Sequence, residues 1–424
     1  MPVKELQTLS KKKLYLIITN YPNNGSDSIF VAPEIPELMK WFDITVFCTS
    51  GKRDCTYVRK GIKYLYFEMK FSLYKKVKYI FKYLFSKICH EEIKDIIYSQ
   101  KQDKKANFLG RVRKSIEFYG CSEEFYRFFK KNVKLNEEEA LYYTFWNDYY
   151  SLSLITHREK YPKFHLVSRF QGYDLYNERY LYGRQPFKKR INRELEKLYF
   201  VAKRPMEYYF KCYPELNRRK AELCCLGVYS LGNNKDKKRS SVANIVSCSN
   251  VIGLKRIDLI IEALALLKGE ARWIHFGDGE EMDSIKLLAE KKLYGKENIR
   301  YEFCGNASNQ LIRTFYEENE IRCFITTSST EGGSPVSVME AMAAKIPIIG
   351  TEVGDIPDMI DGNGILLGNN PNPDKIAQAI EWIISCPENE WRRMSNKSYR
   401  LWKEKYNAEA NVMRFVDSMV KIFD

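Results

Sequence analysis

Short apolar runs alternate along the chain with stretches in which apolar residues fall three or four positions apart. The runs suit strands covered on both faces, and the spaced stretches suit helices packed over them. In the first half, Leu14–Thr19, Ile44–Cys48, Phe164–Ser168 and Cys224–Val228 read as strands, Ser28–Trp41 as a helix, and Leu141–Leu154 as a strand end followed by a helix. In the second, Asn244–Ser249, Trp273–Phe276, Tyr301–Cys304, Cys323–Ile325 and Ile346–Ile349 read as strands. Ile257–Leu267, Pro373–Cys386 and Trp391–Phe423 read as helices. The polar run Gly232–Ser241 between the two sets has the composition of a linker. Two doubly wound α/β domains are expected, over 1–228 and 229–400, with 401–424 a terminal helix crossing back to the first. Ligands of such sheets bind outside the carboxyl ends of the strands. Gly25 closes a turn at one such end, but no G-x-G-x-x-G accompanies it, so no dinucleotide cofactor is expected.

Leu73–Ile97 breaks the alternation. Leu73, Val77, Ile80, Phe81, Leu84, Phe85 and Ile88 follow helical spacing, with Lys75, Lys76, Lys78, Lys82 and Lys87 elsewhere around the helix. From Phe71 to Lys114, ten Lys and two Arg stand against four acids, a local balance of +8. Such a helix either packs on the core with a solvated Lys face or lies on an anionic membrane surface.

Composition narrows the classes. The 424 residues carry a net charge of +15, which favours an anionic partner such as nucleic acid, acidic lipid or a nucleotide diphosphate. No nucleic-acid motif is present, so nucleic acid is not the expected partner. The 11 Cys lack the spacing of a disulfide framework, the four His have no metal-ligand spacing, and no D-x-D occurs, so no metal is expected. No apolar run is long enough to span a bilayer, and Lys11–Lys13 precede no signal core, so a cytoplasmic protein is expected, peripheral to the membrane if the basic helix binds it.

The richest chemistry lies in Ser328–Gly350. Gly332 and Gly333 allow close backbone approach to a ligand, while Ser334 and Pro335 have the composition of an N-cap and first helical residue. A helix start there would present free N–H groups to phosphate. Glu331 stands in the turn, and Glu340 sits among Val338, Met339, Ala341 and Met342, where a carboxylate needs a partner. It could be met by a nearby Lys or by ligand hydroxyls.

This segment resembles the nucleotide-sugar signature of the retaining glycosyltransferases of family four: two spaced Glu, a Gly-rich turn and an EAM…P-I-I tail. Eight residues lie between the two Glu where that family has seven, and Lys345 replaces the Gly that usually closes the helix. The resemblance implies an α/β GT-B fold, two doubly wound Rossmann-like domains facing a central cleft. It implies that Glu340 holds the ribose hydroxyls, that Glu331 touches the donor sugar, and that the backbone of Gly332, Gly333, Ser334, Pro335 and Val336 faces sugar and phosphate. Lys255 matches the family's diphosphate Lys, Asn250 stands at its Arg position, and Arg256 could supply the missing charge. Gly305 and Asn306 match the strand end that borders the base, and Gly25, at its strand end in the first domain, is expected among the donor-binding residues. Ser168–Gly183 resembles the SR-x-HGYDLY stretch of a bacterial branch, with Gln171 where relatives carry a His in the cleft. Gln bonds but does not titrate. The expected function is retaining, metal-independent transfer from a UDP-sugar to a saccharide or lipid-linked saccharide in bacterial polysaccharide assembly. The alternatives are a sugar-nucleotide epimerase on the same fold and a basic nucleic-acid- or lipid-binding protein without catalysis.

Overall fold

The computed structural model describes residues 11–70, 72–102, 107–133, 139–156, 158, 164–231 and 240–424. Most of the expected linker, 232–239, lies outside them, as does His157. Among the described residues the chain divides into two compact units, one running through Cys224 and resuming at Val412–Asp424, the other spanning Cys225–Asn411.

The first unit holds seven parallel strands: β1 (Lys12–Ile18), β2 (Phe42–Cys48), β3 (Lys63–Tyr66), β4 (Ala140–Thr144), β5 (Phe164–Phe170), β6 (Lys197–Phe200) and β7 (Ala221–Leu223). Their order is β3-β2-β1-β4-β5-β6-β7. Central β1 buries Leu14, Leu16, Ile17 and Ile18 completely, as expected for a strand covered on both faces. On one face Phe47, Phe125, Phe129 and Tyr142 form an aromatic layer. On the other, Tyr143 and Tyr199 meet Phe415 of the last helix, Ala408–Val420, in a cluster that also holds Leu14, Val46, Val31, Ile35, Leu38, Val416 and Met419.

The second unit holds β8 (Ala243–Cys248), β9 (Ala271–Phe276), β10 (Ile299–Phe303), β11 (Cys323–Thr326), β12 (Ile348–Thr351) and β13 (Gly364–Leu367), in the order β10-β9-β8-β11-β12-β13, also all parallel. Strand order reverses between β8 and β11, which makes that strand end a topological switch point.

Several elements differ from expectation, each for a local reason. The Ser28–Trp41 helix is two, Ser26–Val31 and Ile35–Trp41. Pro33 removes an amide donor at the break, and Glu34 turns inward to pair with buried Arg169 at 2.7 Å. Cys224–Val228 is not a strand; β7 ends at Leu223. Instead the Val228 carbonyl accepts from Trp402 Nε1 (3.1 Å) and Ala408 N (3.2 Å), while its N–H donates to Tyr406 O (3.0 Å). Beside that contact the expected Trp391–Phe423 helix is interrupted by a π turn at Trp402–Tyr406.

Leu73–Ile97 is likewise two helices, Leu73–Leu84 and Lys87–Gln102, both packed on Phe108–Asn132. Tyr79 and Tyr83 of the first point inward and are buried. Val77, Ile80, Phe81, Leu84 and Phe85, the stripe that could have covered a core, face outward, Phe81 at 59% and Phe85 at 84% exposure. Lys75 and Lys82 are committed to Glu124 (2.7 Å) and Glu123 on Phe108–Asn132. Lys76 and Lys78 are exposed.

Candidate functional site

Two loops meet at the switch point of the second unit, one following β8 and one following β11. A short 3-10 turn, Gly253–Lys255, sets the first, and Arg256 then takes left-handed torsions (φ 50°, ψ 49°) before the helix Ile257–Leu264. This turn aims Lys255 Nζ at Glu331 Oε1, 2.5 Å away, with both side chains mostly buried. The backbone on either side is tied down. Ser329 N donates to Leu254 O (2.8 Å), and Thr327 Oγ1 donates to the carbonyls of Lys255 (3.0 Å) and Arg256 (2.9 Å).

Arg256, the cation that the sequence offered beside Lys255, is engaged by the loops on either side. Its guanidinium donates to Thr327 O (2.6 Å), Ser328 O (2.9 Å), Asn369 O (2.8 Å) and Asn370 Oδ1 (3.1 Å). With these donors engaged it braces the loop, while the Lys255 ammonium meets Glu331 alone among the carboxylates of the described residues. Asn250 is exposed at the end of β8, and its carbonyl accepts from Ile252 N at 3.2 Å.

The turn Glu331–Pro335 is held from the β12 side. A Cβ on Gly354, which has φ +54°, would sit 2.7 Å from Glu331 Cβ, so only glycine lets the two segments touch. Ser334 Oγ donates to Asp355 Oδ2, which also accepts from Tyr406 at 3.1 Å. Ser334 is therefore not the helix cap. Pro335 is the N-cap of Val336–Ala343 and offers no side-chain acceptor, so the first N–H groups of that helix lack a side-chain cap. Burial pushes the Asp355 carboxyl up to about 6. At the other end of the helix Lys345 adopts φ 61°, the left-handed conformation glycine would take.

Glu340 lies one turn into Val336–Ala343, 8% exposed, and its carboxylate has no hydrogen-bond partner among the described residues. Burial raises its carboxyl to about 7, against a smaller opposing pull from Arg313. Half-buried Cys248, at the end of β8, feels the charges of both Glu340 and Lys255, so the two flank one strand end. Gly305 (φ 64°) hydrogen-bonds Gly277 N (2.8 Å) and lines a cavity of about 430 Å³ at the ends of β9 and β10, with Asp278, Gly279, Phe303 and Cys304; exposed Asn306 follows it.

Gly25 and Gln171 belong to the first unit. Gly25 packs against Asn20, where a Cβ would sit 2.7 Å from the Asn20 side chain, and its carbonyl accepts from Ser28 N. Gln171 N donates to Asp174 Oδ1 (3.0 Å), while its buried Nε2 has no hydrogen-bond partner among the described residues. Around it lie residues that sequence reasoning missed. Asp174 also accepts from Asn147 N (2.9 Å), and fully buried Lys188, lowered to about 7 by burial, donates to Asp174 O and Gln185 Oε1. Nothing in the run Lys188-Lys189-Arg190 marks the first as the buried one. Asp355 carried a weak signal, an acid just after the glycine of a turn. Among the described residues no cluster of three or more His, Cys, Asp or Glu could hold a metal ion, and no helix is long and apolar enough to cross a membrane.

Residues 233–401 match the family described as "Glycosyl transferases group 1". The O-antigen biosynthesis glycosyltransferase WbnH of Escherichia coli is 34% identical over 113 residues, which are 27% of this chain and 29% of that protein, so the chain spans under a third of that relative. Two solved structures align along nearly the whole length. The lipopolysaccharide outer core galactosyltransferase WaaB, in its apo form, has a TM-score of 0.67 at 16% identity, covering 96% of this chain and 99% of that one. Anabaena HepE in complex with UDP has a TM-score of 0.65 at 13% identity, covering 97% and 100%. The architecture of two Rossmann-like parallel-sheet domains is therefore that of the GT-B glycosyltransferases.

Proposed function

We propose that this protein is a glycosyltransferase that moves a sugar from a UDP-sugar to a saccharide or lipid-linked saccharide in bacterial polysaccharide assembly, with retained configuration and no divalent metal. The observation that carries this reading is the Lys255–Glu331 pair at the switch point, beside the unpartnered carboxylate of Glu340. Lys255 and the uncapped start of Val336–Ala343 neutralise the diphosphate as it leaves. Glu340 accepts the ribose hydroxyls, and Glu331 engages the donor sugar while giving up part of its hold on Lys255. Arg256 keeps both loops in register. WbnH, described as an O-antigen enzyme, and HepE, solved with UDP, support the donor and product classes.

UDP-glucose and other UDP-sugars titrated in the presence of EDTA test the donor assignment. Binding that persists under chelation is expected; binding lost on chelation and restored by manganese would refute it. Incubation with the donor alone adds a control, since interconversion of the sugar would mark an epimerase.

We further propose that the helix Leu73–Leu84 seats the protein on anionic membrane, with its outward Val77, Ile80, Phe81 and Leu84 in the interface and Lys76 and Lys78 facing lipid phosphates. Each such Lys contributes about 1 kcal/mol near an anionic surface. In co-sedimentation, binding to anionic but not zwitterionic vesicles is expected, weakened by Lys76→Glu with Lys78→Glu. Indifference to lipid charge would end the proposal. Lys82→Glu is the wrong probe, because it breaks the contact with Glu123.

A further inference from the structure

The first unit carries a pocket of about 910 Å³ on its flank, between the helices Lys87–Gln102 and Lys188–Glu194 and the loop Tyr213–Asn217. Helix Lys188–Glu194 is the crossover from β5 to parallel β6, and Lys220 just precedes β7, so the pocket runs down to the amino ends of the strands. Ligands of doubly wound sheets ordinarily bind at the opposite ends. Seven Lys or Arg side chains and four carboxylates line it.

Its unmatched atoms all have one sense. Arg184 Nη1, Arg190 Nε and Asn192 Nδ2 are buried without a hydrogen-bond partner among the described residues, and each is a donor. Asn192 is 1% exposed, and its Oδ1 accepts from Tyr209 (2.8 Å), which leaves Nδ2 without an acceptor. The neighbouring cations are partly satisfied: Arg184 pairs with Glu92 at 3.1 Å and Arg190 with Glu91 at 2.8 Å. Buried donors without acceptors are costly, and a lining whose residues carry three of them, with more cations than carboxylates, suits an anion with several oxygens. Guanidinium groups match a phosphoryl group in particular. The cavity is far larger than a phosphate, and Tyr98, Tyr213 and Phe187 give it surface for an organic portion.

We infer that this flank pocket binds a phosphorylated small molecule through Arg184, Arg190 and Asn192. The inference does not depend on the donor site of the second unit. Its source is either a soluble phosphate ester or a lipid phosphate. Phe187 lies 6.4 Å ring to ring from Tyr83, on the inner face of the Leu73–Leu84 helix, so a lipid head is within the chemistry of the site.

The test uses the full chain carrying Lys255→Ala, which removes the diphosphate-facing cation of the second unit, and titrates it calorimetrically with inorganic pyrophosphate. Binding is expected to persist there and to weaken by roughly tenfold or more when Arg190→Gln or Asn192→Asp is added. Asn192→Asp keeps the Tyr209 hydrogen bond and replaces the donor with an acceptor. If it does not fold, Arg190→Gln alone decides. A parallel titration with monomeric short-chain phosphatidic acid assigns the source: preference for it means a lipid head, preference for pyrophosphate a soluble ester. No pyrophosphate binding, or binding indifferent to the Arg190 and Asn192 variants, overturns the proposal.

Discussion

Replacing Lys255 with Ala should lower kcat/KM for transfer by about 10²–10³, the cost of removing a preorganised group that stabilises charge on a leaving group. The free protein explains why the loss should appear in turnover as well as in affinity. Lys255 is already held at 2.5 Å from Glu331, in a turn whose backbone is fixed by Arg256 and Thr327, so little reorganisation accompanies the reaction. Glu331→Gln should separate the two roles. It removes the charge that competes with diphosphate for Lys255, so UDP should bind as well or better while turnover falls. Calorimetry with UDP and initial rates with the UDP-sugar measure both. A Lys255→Ala protein that keeps kcat/KM within roughly threefold of the parent would remove the phosphate role, because an effect so small lies below that of one charged contact.

Glu340→Gln should weaken UDP binding by roughly 1.5–3 kcal/mol, the range of a hydrogen bond to a charged group. It should also stabilise the empty protein at alkaline pH. Burial raises the Glu340 carboxyl to about 7 from an ordinary value near 4.5, so between those values the unfolded chain has already lost the proton that the folded one retains. Stability is thus fully present below the unfolded value and lost as pH rises through about 7, a contribution on the order of 3 kcal/mol at about 1.4 kcal/mol per unit. Gln does not ionise and avoids that loss. Thermal unfolding at pH 8 without ligand should show the variant above the parent, and the order should narrow at pH 5. Donor affinity of the parent should rise through pH 7 as the carboxylate forms. Equal UDP affinity in parent and variant would remove the ribose assignment.

The parallel strands were legible because both their faces are buried, so Leu14–Ile18 and Cys323–Ile325 stand out as unbroken apolar runs. Glu340 was legible for the opposite reason, a carboxylate among apolar neighbours. What sequence could not give was direction. The periodicity of Leu73–Leu84 marks a stripe, but which face turns inward depends on Tyr79 and Tyr83 meeting the Phe108–Asn132 helix, where Tyr79 also donates a hydrogen bond to Glu124. Lys255 and Arg256 are adjacent cations with different partners, Glu331 for one and the loop carbonyls for the other, separated only by the left-handed torsions of Arg256. The apolar run Cys224–Val228 mimics a strand because its partners, Trp402 and Tyr406, lie far away along the chain.

The discontinuity of the first unit has a consequence for synthesis. Its β-sheet is complete once β7 has been made, yet Tyr143 and Tyr199 on one face pack against Phe415, with Val416 and Met419 in the same cluster. A nascent chain therefore holds that part of the face open until Ala408–Val420 emerges, although Cys225–Asn411 has all of its own core residues by then. Domains fold as units during translation. Here the unit begun first is the one finished last, and the interval in which its sheet can pair with the wrong partner lasts as long as the ribosome takes to make the whole second unit.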